Sequence, residues 1–322
     1  MNLKKRTTFS LERLSRMQLY IGEEVVEKYE AGLVTWGQML RSLVLIGGSA
    51  AAAASLLATT GPDLPPPPPS RPQPPDLQMQ PPTGPLVVPE NDPAVQGQMV
   101  SFEAYHTIHG YLARPVAPGQ YPPVLVIHEA NGLADHIKDV ARRLAKAGFI
   151  AFVPDLLSRW GITPDLSLPE IFGRLGNAQP SEVLADLDAS VDFLLGQPGV
   201  RGKLGVVGFC FGGGYTLTLA AHNPQVAAGV CYYGVTPQPA SQMAATNAAL
   251  LSHYGATDAR VNATVPELEQ VLQENDKVFK KYFHEGAGHG FNNDNIATWF
   301  REEAAVLAWQ RTLDWFGRYL PA

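Results

Sequence analysis

From about residue 94 to its end the chain alternates two textures, and that alternation limits its fold more than any other feature. Short, uninterrupted apolar runs such as "PPVLVIHE", "IAFVPDLL", "KLGVVGF" and "VAAGVCYYG" are spaced by longer segments with helical periodicity: "HIKDVARRLAKAGF", "SEVLADLDASVDFLLGQ" and "GGGYTLTLAAHN". A run of apolar residues bounded by turn formers reads as a strand buried on both faces, which is the condition of a parallel sheet. Parallel strands need crossovers, and helices supply them. The expected fold is therefore α/β, with a mostly parallel central sheet and helices on both faces. "VSFEAYHTIHGYLARP" alternates as an edge hairpin, with its turn expected around His109-Gly110. Ser181 is the expected N-cap of the helix that follows it, and the last helix is expected over about Ile296 to Tyr319.

Ahead of this lies a different kind of sequence. Residues 1–60 read as a leader. They are mildly basic up to Arg41 and then carry the uncharged run "LVLIGGSAAAAASLLA" at 43–58. Residues 61–93 are proline-rich, with five prolines in a row from Pro65 to Pro69, and read as a semi-rigid linker that forms no packed core. Residues 94–322 form the α/β domain. The apolar run has the length of a signal-peptide core and is short for a membrane span, which needs roughly 20 residues. Export is the expectation, to the periplasm or outside the cell. The alternatives are an anchor, with membrane contact through residues 43–58 only, or an Ala-rich helix that packs on a partner.

The 322 residues carry a formal net charge of -6 and no long basic run, which argues against a nucleic-acid partner. The two cysteines, Cys210 and Cys231, form no CxxC and have no metal-ligand spacing, so neither a metal nor a disulfide framework is expected. Cys231 lies inside an apolar strand, where a packed thiol is the common outcome.

Ligands of open α/β sheets bind beyond the carboxyl ends of the strands. Four chemically capable residues follow strand ends: Glu129, Cys210, Asp258 and His289. Cys210 stands in "GFCFGG", the G-x-nucleophile-x-G layout of a nucleophile elbow, with Gly208 and Gly212 small enough to let the turn close. The helix after it would aim its amides and positive dipole end at the thiol. Cys210, Asp258 and His289 occur in the nucleophile, acid, histidine order of α/β-hydrolases. Asp258 would orient His289 and stabilise its imidazolium. Asp155 comes too early in the chain to be the acid, and Asp294 too close to His289. The simpler reading of each is a packed cysteine, a turn aspartate, a loop histidine and a strand-end carboxylate.

Five segments taken together, "HEANGL", "PDLLSR", "GFCFGGG", "YGATDARV" and "GAGHGF", resemble the dienelactone hydrolase family of α/β-hydrolases over roughly residues 94 to 320. The resemblance implies a Cys210, His289, Asp258 triad and an oxyanion hole from the amides of Phe211 and Ala130. It implies that Glu129 meets the resting thiol and helps take its proton. It also implies a substrate carboxylate held by two arginines. Arg159 of "PDLLSR" supplies the first, but "HGFNN" has asparagine where the second would stand. An amide brings no charge and no bidentate fork, so a less charged ester or lactone is as well matched as a dianionic one. Trp160, Phe172 and Trp299 are candidates to line the pocket.

The expected function is cysteine-dependent hydrolysis of a small-molecule ester or lactone through an acyl-enzyme, with no cofactor and no metal. The rival expectation is an exported, non-catalytic binding or scaffold protein on a hydrolase fold. A third, thiol redox chemistry between Cys210 and Cys231, lacks the CxxC it would need.

Overall fold

A computed structural model of the chain describes residues 14–60 and 84–321. Three helices come first: α1 (Arg16–Glu30), α2 (Trp36–Gly47) and α3 (Ala50–Thr60). The sheet-forming part opens with β1 (Val95–Glu103), β2 (Thr107–Pro115) and β3 (Pro123–Ile127), then α4 (Asp135–Lys146) and β4 (Ile150–Pro154). Two helices follow, α5 (Leu168–Asn177) and α6 (Pro180–Leu195). The remainder is β5 (Leu204–Phe209), α7 (Phe211–His222), β6 (Val226–Tyr232), β7 (Ala249–Gly255), α8 (Ala259–Asn262), α9 (Val265–Glu274), β8 (Phe279–His284) and α10 (Glu302–Tyr319). The chain divides into two compact units: α1 to α3 with residues 160–180, and the rest.

The larger unit is built on one eight-stranded sheet of order β1-β2-β4-β3-β5-β6-β7-β8. β2 runs antiparallel to β1 and β4, and every other neighbouring pair is parallel. The strands at its centre are apolar from end to end because no face meets water. All residues of β3, β4, β5 and β7 are buried. The edge strands β1 and β8 instead mix buried with exposed positions, and β8 carries Lys280 and Lys281. Such charges discourage edge-to-edge pairing with another chain. α4 presents Ile137, Val140, Ala141 and Leu144 to the sheet at helical spacing. Each large aliphatic side chain buried this way contributes about 1.5–3 kcal/mol.

Three local expectations are corrected. The β1–β2 turn lies at Ala104–His106, with the Ala104 amide donating to the His106 carbonyl at 3.1 Å. His109 and Gly110 are inside β2. Gly110 serves close approach rather than turning: a Cβ there would press into the Phe152 ring and the Val153 carbonyl, both at 2.5 Å. The helix given to Ser181 as N-cap begins one residue earlier, at Pro180, a residue whose fixed φ suits the first helical turn. The last helix starts only at Glu302, after turns through 296–301.

In the smaller unit the apolar run 43–58 is two helices, not one. α2 ends at Gly48 in the left-handed region (φ 73°), and α3 leaves at 111° to it. Among the described residues no single helix is long and apolar enough to cross a membrane. The expected leader is packed over these residues. A Cβ on Gly173 of α5 would come within 2.7 Å of the Leu45 Cβ, and Gly176 faces Ile46 and Ile21. Asn177 Nδ2 donates to the carbonyls of Leu45 and Ile46, and Gln18 Nε2 donates to Ile46. These bonds satisfy α2 carbonyls that have no partner inside the helix. Both α1 and α2 start with a capping box, Ser15 with Gln18 and Thr35 with Gln38. Residues 1–13 and 61–83, the latter most of the expected linker, lie outside the described residues.

Candidate active site

Each parallel strand from β3 and β5 onward delivers one chemically capable residue at its carboxyl end. Glu129 comes two residues after β3, Cys210 one after β5, Tyr233 one after β6, Asp258 three after β7 and His289 five after β8. The order of the strands in the sheet therefore gathers residues spread over 160 positions onto one edge.

Cys210 occupies the turn between β5 and α7 with φ 55° and ψ -116°, a conformation that non-glycine residues rarely adopt. Its amide donates to the Tyr232 carbonyl at 2.9 Å, and its carbonyl accepts from Gly213 at 2.9 Å. The surrounding glycines are required by contact. A Cβ on Gly208 would collide with the Gly212 carbonyl. One on Gly212 would collide with the Ile127 carbonyl and lie 2.6 Å from that of His128. The elbow is thus pressed against the chain leaving β3, which carries Ala130 three residues on. Phe211 is the first residue of α7, and the amides of a first helical turn have no carbonyl partner within the helix. Both cysteines are buried and are not joined by a disulfide. Burial pushes the Cys231 thiol up to about 12, as expected of a packed, unreactive residue.

His289 and Asp258 are brought together. His289 Nδ1 and Asp258 Oδ2 are 2.7 Å apart, and the other carboxylate oxygen accepts from the Val261 amide at 3.1 Å. A His289 ring nitrogen and the Cys210 sulfur lie within 4.8 Å of each other. Gly290, at φ 68°, lets the Trp299 ring stand edge-on to the imidazole at a centroid distance of 6.2 Å. Phe291 is fully buried and meets the ring of His284 at 4.9 Å.

Glu129 is buried and held by side chains from two other strand exits. Tyr233 donates its hydroxyl to Oε1 at 3.0 Å, and Asn293 donates Nδ2 to Oε2 at 2.5 Å. Tyr233 also has a positive φ, 40°, and its ring meets that of His289 edge-on at 5.1 Å. Burial first, then the charges of Glu129 and Cys210, push its hydroxyl well above the usual tyrosine range, so it remains a donor. Sequence reading did not single out Tyr233. Its only signal was its place directly after a buried strand, next to Tyr232, the strand's last residue, which turns instead toward Thr312.

Arg159 is paired within the fold. Its guanidinium forms a bidentate pair with Asp186, 2.9 Å at both nitrogens, and also reaches the Glu182 carbonyl at 3.3 Å. The Nε–Nη2 edge is thus occupied, and Nη1 lies 3.9 Å from the Glu182 carboxylate. The two rival carboxylates are structural: Asp155 accepts from the Leu157 amide, and Asp294 is fixed to α4 through His136 Nδ1 at 2.8 Å and Arg143 at 2.6 Å. Burial alone would raise the Asp294 carboxyl. The hydrogen bond and charge of His136, with Arg143, outweigh it and hold the group below the ordinary range. Trp160 and Phe172, candidates for the pocket lining, belong to the helical unit.

The model of the dienelactone hydrolase family matches residues 108–320. The chain belongs to the dienelactone hydrolase family. An inferred carboxymethylenebutenolidase of Methylorubrum extorquens is 36% identical over 228 residues, 66% of this chain and 77% of its own length. One from Salmonella typhimurium is 33% identical over 252 residues, 74% and 93% of the two lengths. The crystal structure of an inferred dienelactone hydrolase from Klebsiella pneumoniae superposes with a TM-score of 0.66 at 34% identity, covering 70% of this chain and all of the other. Membership makes this dienelactone hydrolase family protein an ester and lactone hydrolase on an α/β-hydrolase sheet.

Proposed function

We propose that the protein hydrolyses small esters or lactones through Cys210, with His289 as general base and acid and Asp258 as its orienting carboxylate. The observation that carries this reading is the strained Cys210 elbow beside an imidazole whose other face is fixed by a buried aspartate. His289 takes the thiol proton as sulfur attacks the carbonyl carbon, and the carbonyl π electrons move onto oxygen. The amides of Phe211 and Ala130 would receive that oxyanion. Its collapse breaks the carbon–oxygen bond, the imidazolium protonates the departing alkoxide, and a thioester remains. In a lactone the alkoxide stays attached and the ring opens. Water, deprotonated by His289, then attacks the thioester, and the acid and the thiol are released.

Because Arg159 is already paired with Asp186, the reading favours an acyl group that does not depend on an arginine clamp. Steady-state hydrolysis of dienelactone and of short acyl aryl esters by the full chain tests both points. Turnover that disappears in Cys210→Ala supports the cysteine mechanism, and undiminished turnover overturns it. A folded protein with no turnover on any member of the panel would leave a non-catalytic binding protein as the better account.

A further inference from the structure

Among the described residues, the two side chains that donate to the buried Glu129 carboxylate, Tyr233 and Asn293, are both neutral. Asn293 is shaped for this task in a way other residues are not. Its Oδ1 accepts the Asn295 amide at 3.1 Å, which fixes the orientation of the side-chain amide and leaves Nδ2 for Glu129. The position therefore needs one acceptor and one donor on a short stem. Aspartate has no donor when ionised, and arginine has no acceptor. The backbone is held as firmly. The Asn293 amide donates to the Gly290 carbonyl at 2.9 Å, and the next residue, Asp294, is bound by His136 and Arg143 of α4. Arg143 is itself bound through Nε to Asp139 at 2.7 Å. The loop from His289 to Asp294 is thus a strap, with the imidazole at one end and the Glu129 contact at the other. On the opposite oxygen, Tyr233 links Glu129 to the same imidazole through its ring.

We infer that Asn293 and Tyr233 are positioning residues that fix the Glu129 carboxylate, and through it the ionisation of the Cys210 thiol. This rests on the assignment of Cys210 as the nucleophile. The groups that act on this carboxylate are Tyr233 and Asn293 from their loops, Cys210 from the elbow, and His128 on its own segment, whose Nδ1 lies 2.6 Å from the Glu129 carbonyl. His128 is kept neutral by burial, against the opposing pull of Asp155 and Glu129. Among the described residues these groups include no arginine or lysine, so the charge at the thiol depends on where the carboxylate points and what donates to it, together with the His289 imidazole within 4.8 Å of the sulfur.

Two measurements test the inference on the full chain. The first is a double-mutant comparison of kcat. Tyr233→Phe and Asn293→Ala are each expected to lower kcat about tenfold, the scale of one hydrogen bond to a charged group, with KM changed less than about twofold. In a Glu129→Ala background the same changes are expected to alter kcat less than about twofold, because the group they act through is gone. Equal losses in both backgrounds, or no loss in the parent, overturn the inference. The second is the pH dependence of Cys210 alkylation by iodoacetamide, which needs no substrate. Asn293→Asp keeps the acceptor for Asn295 but sets a second carboxylate against Glu129. The alkylation midpoint is expected to move up by about one pH unit. A midpoint within about 0.2 unit of the parent in both Asn293→Asp and Tyr233→Phe overturns the inference even if turnover is cysteine-dependent. Turnover that survives Cys210→Ala strikes the nucleophile assignment instead, and the alkylation midpoints still judge the clamp. Should Asn293→Asp fail to fold, Tyr233→Phe, which keeps the ring, carries both measurements.

Discussion

Gly212→Ala is the sharpest probe of the elbow, because it adds one methyl group beside the nucleophile without touching any reacting atom. The added Cβ would lie 2.6 Å from the His128 carbonyl oxygen and closer still to that of Ile127, whereas ordinary contact begins at 3.4 Å. Both obstacles are backbone, in a strand and at its exit, and neither can rotate away. The α7 N-terminus must therefore retreat from β3 by about 1 Å. A displacement of that size at a reacting centre costs about 10²-fold in rate. Overpacking of a dense interior costs about 1–3 kcal/mol in stability. The expected result is a folded protein with unchanged far-UV circular dichroism and a modestly lowered denaturation midpoint. Its kcat/KM on a short acyl aryl ester should fall by about 10²-fold. Gly214→Ala, two residues further along the same helix, is the control, since its Cβ would meet nothing nearer than 3.4 Å. Parent-like kcat/KM in Gly212→Ala would refute the reasoning that the glycine is there to let the elbow approach β3.

Other consequences can be checked directly. Asp258→Asn removes the carboxylate that orients His289 and should lower kcat by roughly 10³–10⁴-fold with the fold intact, by analogy with the serine-protease triad. A loss under tenfold would point to another acid. Asp294→Ala removes one partner of Arg143, which keeps Asp139, and the carboxylate on His136, and should cost about 3 kcal/mol in urea denaturation, the scale for breaking a buried pair. An effect below about 0.5 kcal/mol would show the strap is not anchored there. His284 is pulled down to about 4 by burial first and by Arg311 second. Above the unfolded value near 6.5 both states are neutral and nothing changes. As pH falls below it the unfolded chain binds a proton that the folded one refuses, so stability drops by roughly 3 kcal/mol between pH 6.5 and 4. Urea titrations at several pH values should show a slope in that window that flattens in His284→Phe, and an unchanged slope would count against the assignment.

The grouping of Cys210, Asp258 and His289 was legible in the sequence. The glycine spacing around Cys210 and the chain order Cys210, Asp258, His289 placed three side chains on one edge, because strand ends in a parallel sheet share that edge whatever their separation in the chain. Gly208 and Gly212 were legible for the same reason: a tight strand-to-helix turn leaves no room for Cβ. What the sequence did not show was which residues answer a partner far away in the chain. Arg159 matched a substrate-clamp motif, yet Asp186, 27 residues on, fills its fork. Asn293 looked like a lost charge and is the donor to Glu129, 164 residues earlier. Gly110 looked like a turn residue because the Phe152 ring packed against it belongs to a strand not yet reached in the chain.

The sequence by itself determined the α/β class, the elbow and the family, since these depend on local periodicity, on small residues at fixed spacing and on the order of motifs. Tertiary structure alone decided which polar groups answer one another: Tyr233 and Asn293 on Glu129, Asp186 on Arg159, His136 and Arg143 on Asp294. It also showed that residues 43–58 bend at Gly48 and pack with 160–180. The physical reason is that apolar burial depends on pattern, which a chain carries along its length, while a hydrogen bond between side chains depends on a distance of about 3 Å, which only the folded backbone sets.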